Sequence, residues 1–235
     1  MPSRAKWLFD ETKHAGVDYS DPELVKAYDA RHQKFRDFEK DSEAILNRLD
    51  LGPDQTLIEM GAGTGTFALY AAKRCKKVYA VDISKAMLEL AAQKAQKEGL
   101  KNIDFREGGF LTYEHAEDPA DAMVSVAVLH HLPDFWKLIG LRRAAAMLGP
   151  GGKLYLFDAV FSFEPAEYES RLNAWIGLME ENAGPKIAEE TSIHIRDEYS
   201  TYSWIMEELI ERAGLTIEQY EYQDVCLAWY LCLKK

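Results

Sequence analysis

Apolar positions along the chain follow two alternating rhythms. Short apolar runs at 56–60, 77–81, 102–106, 121–128 and 153–158 have the length of buried strands. Between them lie segments of helical length and spacing, at 67–75, 84–98 and 135–148. Ser84 is placed to cap the second of these, and Gly99 to close it. Lys73, Arg74, Lys76 and Lys77 gather at the end of the first, where the helix dipole favours cations. This strand–helix alternation predicts a parallel sheet covered on both faces.

The two ends of the chain depart from that rhythm. Asp21-Pro22-Glu23 is a helix start, with an Asp cap, Pro at the first helical position and then an acid. Leu24, Val25, Tyr28, Phe35 and Phe38 give an irregular stripe, and Ile45, Leu46 and Leu49 a second one, stopped by Gly52-Pro53. Residues 160–195 are helix-like, rich in Glu and interrupted by Gly184-Pro185, as expected for an inserted cap. A helix at 203–212 follows, then strands at 215–222 and 225–233. Gln223-Asp224 alone joins these strands, so they must form an antiparallel hairpin. The expected architecture is three-layer α/β. It has seven strands, mostly parallel with an antiparallel last strand, and two helical caps. The expected organisation is an N-terminal cap at 1–50 and a main domain at 51–235 with an insertion at about 160–200.

Composition narrows the class. The 235 residues are 47% hydrophobic and 29% charged, which excludes a disordered or fibrous chain. Lys and Arg number 28 against 39 Asp and Glu, a net −11, which disfavours nucleic acid and anionic membrane as partners. Cys75, Cys226 and Cys232 form no CxxC and no zinc spacing, so they read as reduced thiols. The apolar stretch at 122–129 is far short of the roughly 20 residues that cross a bilayer. An acid interrupts the N-terminus before any apolar core of signal-peptide length. A cytoplasmic protein is expected.

The unusual residues all fall at the ends of strands. Gly61-Ala62-Gly63-Thr64-Gly65 ends the first, Asp82 the second, Gly108-Gly109 follow the third, and Ser125 to His131 end the fourth. In an open α/β sheet that edge binds the ligand. The glycines are spaced GxGxG; Thr66 stands where a dinucleotide fingerprint has its third glycine. Glycine lets a ligand approach the backbone closely. A carboxylate at Asp82 can accept both hydroxyls of a ribose.

These motifs resemble the class I S-adenosylmethionine-dependent methyltransferases, in particular the small methyltransferase-domain family. The resemblance rests on Glu59-Met60-Gly61-Ala62-Gly63-Thr64-Gly65, on Val81-Asp82-Ile83-Ser84, on Asp121 through Leu129-His130-His131-Leu132, and on Leu148-Gly149-Pro150-Gly151-Gly152. It covers roughly residues 50–160, and the closing hairpin extends it. It implies a Rossmann-like fold, S-adenosyl-L-methionine as cofactor and S-adenosyl-L-homocysteine as product. Glu59, Gly61, Ala62, Gly63 and Gly65 would then approach the methionyl part and ribose, and Asp82 would take the ribose hydroxyls. Ile83 and Met87 would pack on adenine. Gly109 and Phe110 fall where the family often has an acid for the adenine amino group, and here a glycine replaces it. Ser125, Val126 and Ala127 would floor the sulfonium, and Tyr28 or Tyr19 would cover it.

An activated methyl group needs mainly positioning. A base is required only where the acceptor holds its proton tightly. His130 and His131 stand where such a base would be, or they simply open the next helix. His14, His32, His115 and His194 show no metal spacing, and no metal is expected. Residues 160–199 hold nine acids against three bases. Either these acids merely face solvent and keep the protein soluble, or they roof the acceptor and favour a small neutral or cationic molecule over nucleic acid. The competing readings are an NAD or nucleotide-sugar enzyme, a protein that binds the cofactor without transfer, and an RNA or protein methyltransferase.

Overall fold

The computed structural model describes residues 6–13, 16, 22–33 and 36–235. Its elements run α1 (Pro22–His32), α2 (Phe38–Leu49), β1 (Thr56–Met60), α3 (Thr66–Ala72), β2 (Lys77–Asp82), α4 (Lys85–Lys97) and β3 (Ile103–Glu107). Then follow β4 (Ala120–Val126), α5 (Asp134–Met147), β5 (Leu148–Phe161), α6 (Tyr168–Ala183), α7 (Pro185–Asp197), β6 (Thr201–Tyr202), α8 (Ser203–Arg212), β7 (Leu215–Gln223) and β8 (Leu227–Lys234). The sheet order is β3-β2-β1-β4-β5-β8-β7, with β6 beside β5. Only β8 runs antiparallel to its neighbours, so the expected three-layer sheet with an antiparallel last strand is present.

Alternation along each strand builds the layers, because successive side chains leave a strand on opposite faces. In β2, Val78 and Ala80 enter one core while Tyr79 and Val81 enter the other. Leu57 and Ile58 of β1 divide the same way, and both are fully buried. The first core is closed by α2 and α3, through Ile45, Leu46, Phe67 and Ala68. The second is closed by α5 and α8, through Leu141, Ala144, Met206 and Ile210. Each of the larger side chains among these contributes on the order of 1.5–3 kcal/mol of transfer free energy.

Four differences from the sequence expectations matter. Phe38, counted with the first N-terminal stripe, opens the second helix instead; Asp37 caps α2 by accepting from the Lys40 N–H at 3.1 Å. The Asp21 cap and Tyr19 lie outside the described residues. The fourth strand stops at Val126, not 128. Ala127 turns the chain with φ +58°, a costly conformation for alanine, and Leu129–His131 form a single 3-10 turn. Short β6, unforeseen, pairs with the end of β5 and returns the chain from the cap to the sheet. The fifth strand is longer than 153–158 at both ends. No described helix is long and apolar enough to cross a membrane.

Candidate active site

Two cavities meet at the carboxyl edge of the sheet. The first, a cleft of about 120 Å³, is built on the glycine turn and Asp82. Asp82 is 9% exposed, and its Oδ2 accepts from the Gly63 N–H at 2.7 Å while Oδ1 accepts from the Ser84 N–H at 2.7 Å. The carboxylate therefore fixes the turn as well as facing the cleft. Gly63 has φ +52°, and a Cβ there would meet no heavy atom within 4 Å, so the open side of the turn is the cleft itself. Ser84 caps α4 through Met87 N, which sets Ile83 and Met87 on the wall.

Of the residues expected here, Tyr28, Gly61, Gly63, Asp82, Ile83 and Met87 line the cleft, as do Gly109, Phe110, Val126 and Ala127. Glu59, Ala62, Gly65 and Ser125 stand behind this wall rather than on it. Glu59 is fully enclosed; burial, helped by the charge of Asp82, pushes its carboxyl well above the usual range. Its Oε2 and the Ser125 Oγ are buried without a hydrogen-bond partner.

An acid from elsewhere in the chain lies beside Gly109. Glu11 is 8% exposed and lines the cleft; its carboxylate accepts from the Leu111 N–H at 3.0 Å and from the Thr112 hydroxyl at 2.6 Å. A Cβ on Gly109 would stand 2.6 Å from Glu11 Oε2, so the glycine makes room for this carboxylate. Nothing local in the sequence marks Glu11. The only signal was the glycine in place of an acid.

The second cavity, of about 610 Å³, lies between α1, α2, the edge of β4 and β5, and the cap helices α6 and α7. Tyr28, Val126, Ala127 and His131 line both cavities, so the two are continuous. Tyr155 and Trp229 stack on its sheet side with ring centres 5.9 Å apart, and the Arg48 guanidinium lies 4.2 Å over Trp229. Helix α1 holds both cavities together. Asp29 accepts from Lys94 at 2.8 Å and from Thr64 at 2.5 Å on the cleft side, while Arg31 pairs with Glu190 of the cap.

At the floor of this cavity, His130 and His131 meet residues from the far end of the chain. His130 Nδ1 donates to Asp158 Oδ1 at 2.5 Å, and its Nε2 lies 3.2 Å from Glu198 Oε2. Asp158, 1% exposed, also accepts the N–H groups of Leu129 and Ala159, each at 2.7 Å. Glu198 is held by His194 Nδ1, and His194 Nε2 is bonded to Ser200 Oγ at 2.8 Å. The Tyr199 N–H donates to the His130 carbonyl at 2.8 Å, locking the cap to the histidine turn.

Burial is the largest influence on His130, His131, Asp158 and Glu198, yet the signs of their shifts differ. Burial alone would lower His130, but Asp158 and Glu198 outweigh it and raise the imidazole's pKa. Burial would raise Asp158, but the charge and hydrogen bond of His130 hold it at about 2. Glu198 is likewise lowered, against burial, by its bond to His194 and the charge of His130. His131 is lowered to about 4, by burial first and then by the charge on His130. Spacing along the chain shows no metal motif, but ligand atoms of His130, His131 and Glu198 all lie within 4.8 Å of one another.

The acidic roof divides in two. Seven of its nine acids are exposed; only Glu190 and Glu198 line the cavity, and both are paired. The roof's net charge therefore says little about the acceptor.

Comparison with known proteins agrees with this geometry. A family model described as a methyltransferase domain matches residues 57–152. An uncharacterized methyltransferase of Bacillus cereus is 26% identical over 218 residues, covering 92% of each chain. An S-adenosylmethionine-dependent methyltransferase from Aquifex aeolicus superposes with TM-score 0.64 at 20% identity, over 92% of this chain and 99% of that one. Phosphoethanolamine N-methyltransferase 2 of Haemonchus contortus, solved with S-adenosyl-L-methionine, gives TM-score 0.67 at 16% identity, over 93% of this chain and 60% of that one.

Proposed function

We propose that the chain is a class I S-adenosylmethionine-dependent methyltransferase, as the matched methyltransferase domain and the methyltransferase relatives support, and that it methylates a small molecule bound in the larger cavity. The continuity of the two cavities through Tyr28, Val126, Ala127 and His131 carries this reading. The cleft fits the cofactor: its turn is open at Gly63, Asp82 is held by backbone N–H groups, and Ile83 and Met87 supply an apolar face. S-adenosylmethionine supplies a methyl group already activated on a sulfonium. What remains for the protein is to hold the acceptor in line and to exclude water.

A volume of about 610 Å³ lies in the range of small-molecule sites. Tyr155, Phe157, Trp175 and Trp229 give it flat apolar walls, suited to an acceptor with an apolar or aromatic body. Trp175 Nε1 is buried without a hydrogen-bond partner. α1, α6 and α7 cover the cavity, which suits an enclosed small substrate rather than a polymer.

The test is transfer from a methyl-labelled donor into RNA, DNA, protein and small-molecule fractions in parallel. Label is expected in the small-molecule fraction. Robust, salt-sensitive incorporation into nucleic acid, or labelling of protein, overturns the acceptor class. No transfer together with tight donor binding points to a protein that binds the cofactor without using it.

A further inference from the structure

We propose that His130, His131 and Glu198 form a site for one divalent transition-metal ion on the floor of the larger cavity, open toward an acceptor oxygen. The ligand atoms of the three side chains lie within 4.8 Å of one another. The 3.2 Å between His130 Nε2 and Glu198 Oε2 is close to the edge of a tetrahedron with bonds of about 2.0 Å.

The surroundings are those of a prepared ligand set. Asp158 accepts the Nδ1 hydrogen of His130 at 2.5 Å, so the nitrogen left for an ion, once its proton is displaced, is Nε2, 3.2 Å from Glu198. Metal-bound histidines are oriented by just such a carboxylate behind the ring. Asp158 is itself fixed by the N–H groups of Leu129 and Ala159 at 2.7 Å. Glu198 is steadied by His194, and His194 by Ser200 at 2.8 Å.

Charge supplies a second argument. The side chains of Asp158 and Glu198 are 0% and 5% exposed, and both converge on one imidazole. Two buried carboxylates need compensating positive charge. No lysine or arginine bonds to either among the described residues. In the absence of an ion the His130 imidazolium supplies that charge, and a divalent ion between the rings and Glu198 would take its place as Nε2 loses its proton.

The donor set selects the class of ion. Two imidazoles and one carboxylate suit zinc, iron, cobalt or nickel, whereas magnesium and calcium take all-oxygen sites. Three protein ligands leave coordination positions open, the pattern of a catalytic rather than a structural site. The open side faces the cavity that His130, His131 and Glu198 all line. A hydroxyl of the acceptor bound there gives up its proton to solvent more readily, leaving its oxygen pair for the methyl group. This acceptor role rests on the proposed function; the ion site does not.

The full chain, stripped with a chelator, is titrated with Co(II) and followed by visible absorption and calorimetry, with Zn(II) in competition. One equivalent is expected to bind at micromolar concentration or tighter. His131→Ala and Glu198→Gln should weaken binding 30-fold or more, while His115→Ala, remote from the cavity, leaves it unchanged. Imidazole nitrogen NMR of the parent protein needs no variant, and Zn(II) should shift the rings of both His130 and His131. Failure to bind either ion at millimolar concentration, or binding that leaves both rings unshifted, overturns the proposal and leaves the cluster a proton relay. S-adenosylmethionine binding by the stripped protein is measured separately, so failure there counts against the proposed function alone.

Discussion

The cofactor cleft and the larger cavity share a wall, yet they are made in opposite ways. The cleft is largely backbone: a turn between β1 and α3, held by Asp82 through the N–H groups of Gly63 and Ser84. Apart from Glu11 and Tyr28, its parts lie between residues 61 and 132, at or just after the ends of strands and in the first turn of α4. The cavity floor is side chains, gathered from His130, His131, Asp158, His194 and Glu198. A backbone site is set by local turn chemistry and by the order of strands. A side-chain site is set by how a later segment folds back, which no local pattern states. The two sites should therefore respond separately to substitution.

The largest expected effect sharpens this separation. Asp82→Ala removes a charged acceptor facing the cleft and leaves the N–H groups of Gly63 and Ser84 without their partner. Donor binding should weaken by about 2–4 kcal/mol, 30-fold or more by calorimetry. Co(II) binding at the histidines should not change. A variant that binds donor as the parent does would remove Asp82 from the site. Loss of both ligands together would show that the sites are one cooperative unit.

On the cavity side the matching change is Glu190→Gln. Glu190 ties α7 to Arg31 of α1, and the two side chains are 19% and 13% exposed. Breaking a fully buried pair costs about 3–5 kcal/mol; with this much solvent contact, about 1–3 kcal/mol is expected, read from urea unfolding. Arg31 Nε and Nη1 already lack partners, so the arginine has little to fall back on. Donor affinity should fall far less than stability. A donor affinity that falls as steeply as for Asp82→Ala would mean that α1 must be clamped for the cleft to exist.

Glu11→Ala probes the one side chain that brings a distant segment to the cleft. It frees the Leu111 N–H and the Thr112 hydroxyl, and its carboxylate borders the donor site. Donor affinity should drop by about 1 kcal/mol, roughly 5-fold. Unchanged affinity would make Glu11 a tether for the N-terminal segment alone.

These residues also show what was legible in the sequence. Apolar runs, helix caps and strand-end glycines gave the sheet, its order of elements and the cleft, because each is a local device with a local signature. The end of β4 was misplaced because Ala127 takes a left-handed turn that alanine does not advertise. Glu11 and Glu198 were invisible as site residues: one lies about a hundred positions from Leu111, the other 68 from His130, and only packing joins them. The acidic count over 160–199 was correct, yet it did not describe the cavity, because most of those acids point to solvent.

The smallest expected effect concerns Glu59, which the motif places at the cofactor and the fold places behind the turn. Its carboxyl is enclosed, accepts a backbone N–H from Ala68, and is pushed well above the usual carboxylate range by burial and by Asp82. In the unfolded chain it loses its proton near the ordinary value of 4.5. Below that pH the group is neutral in both states and exerts no pull. As pH rises from there toward the folded pKa, the unfolded chain ionises while the folded protein keeps its proton, so stability falls. Glu59→Gln is neutral in both states and keeps an oxygen for Ala68, so this decline should vanish. At pH 5 the variant should lie within about 1 kcal/mol of the parent, and its relative stability should improve as pH rises above 5, until the folded protein releases the proton as well. The measurement is urea unfolding across that range. Two parallel stability curves would mean that Glu59 is ionised in the folded protein, and hence that a cation or a donor group reaches it from the cleft after all.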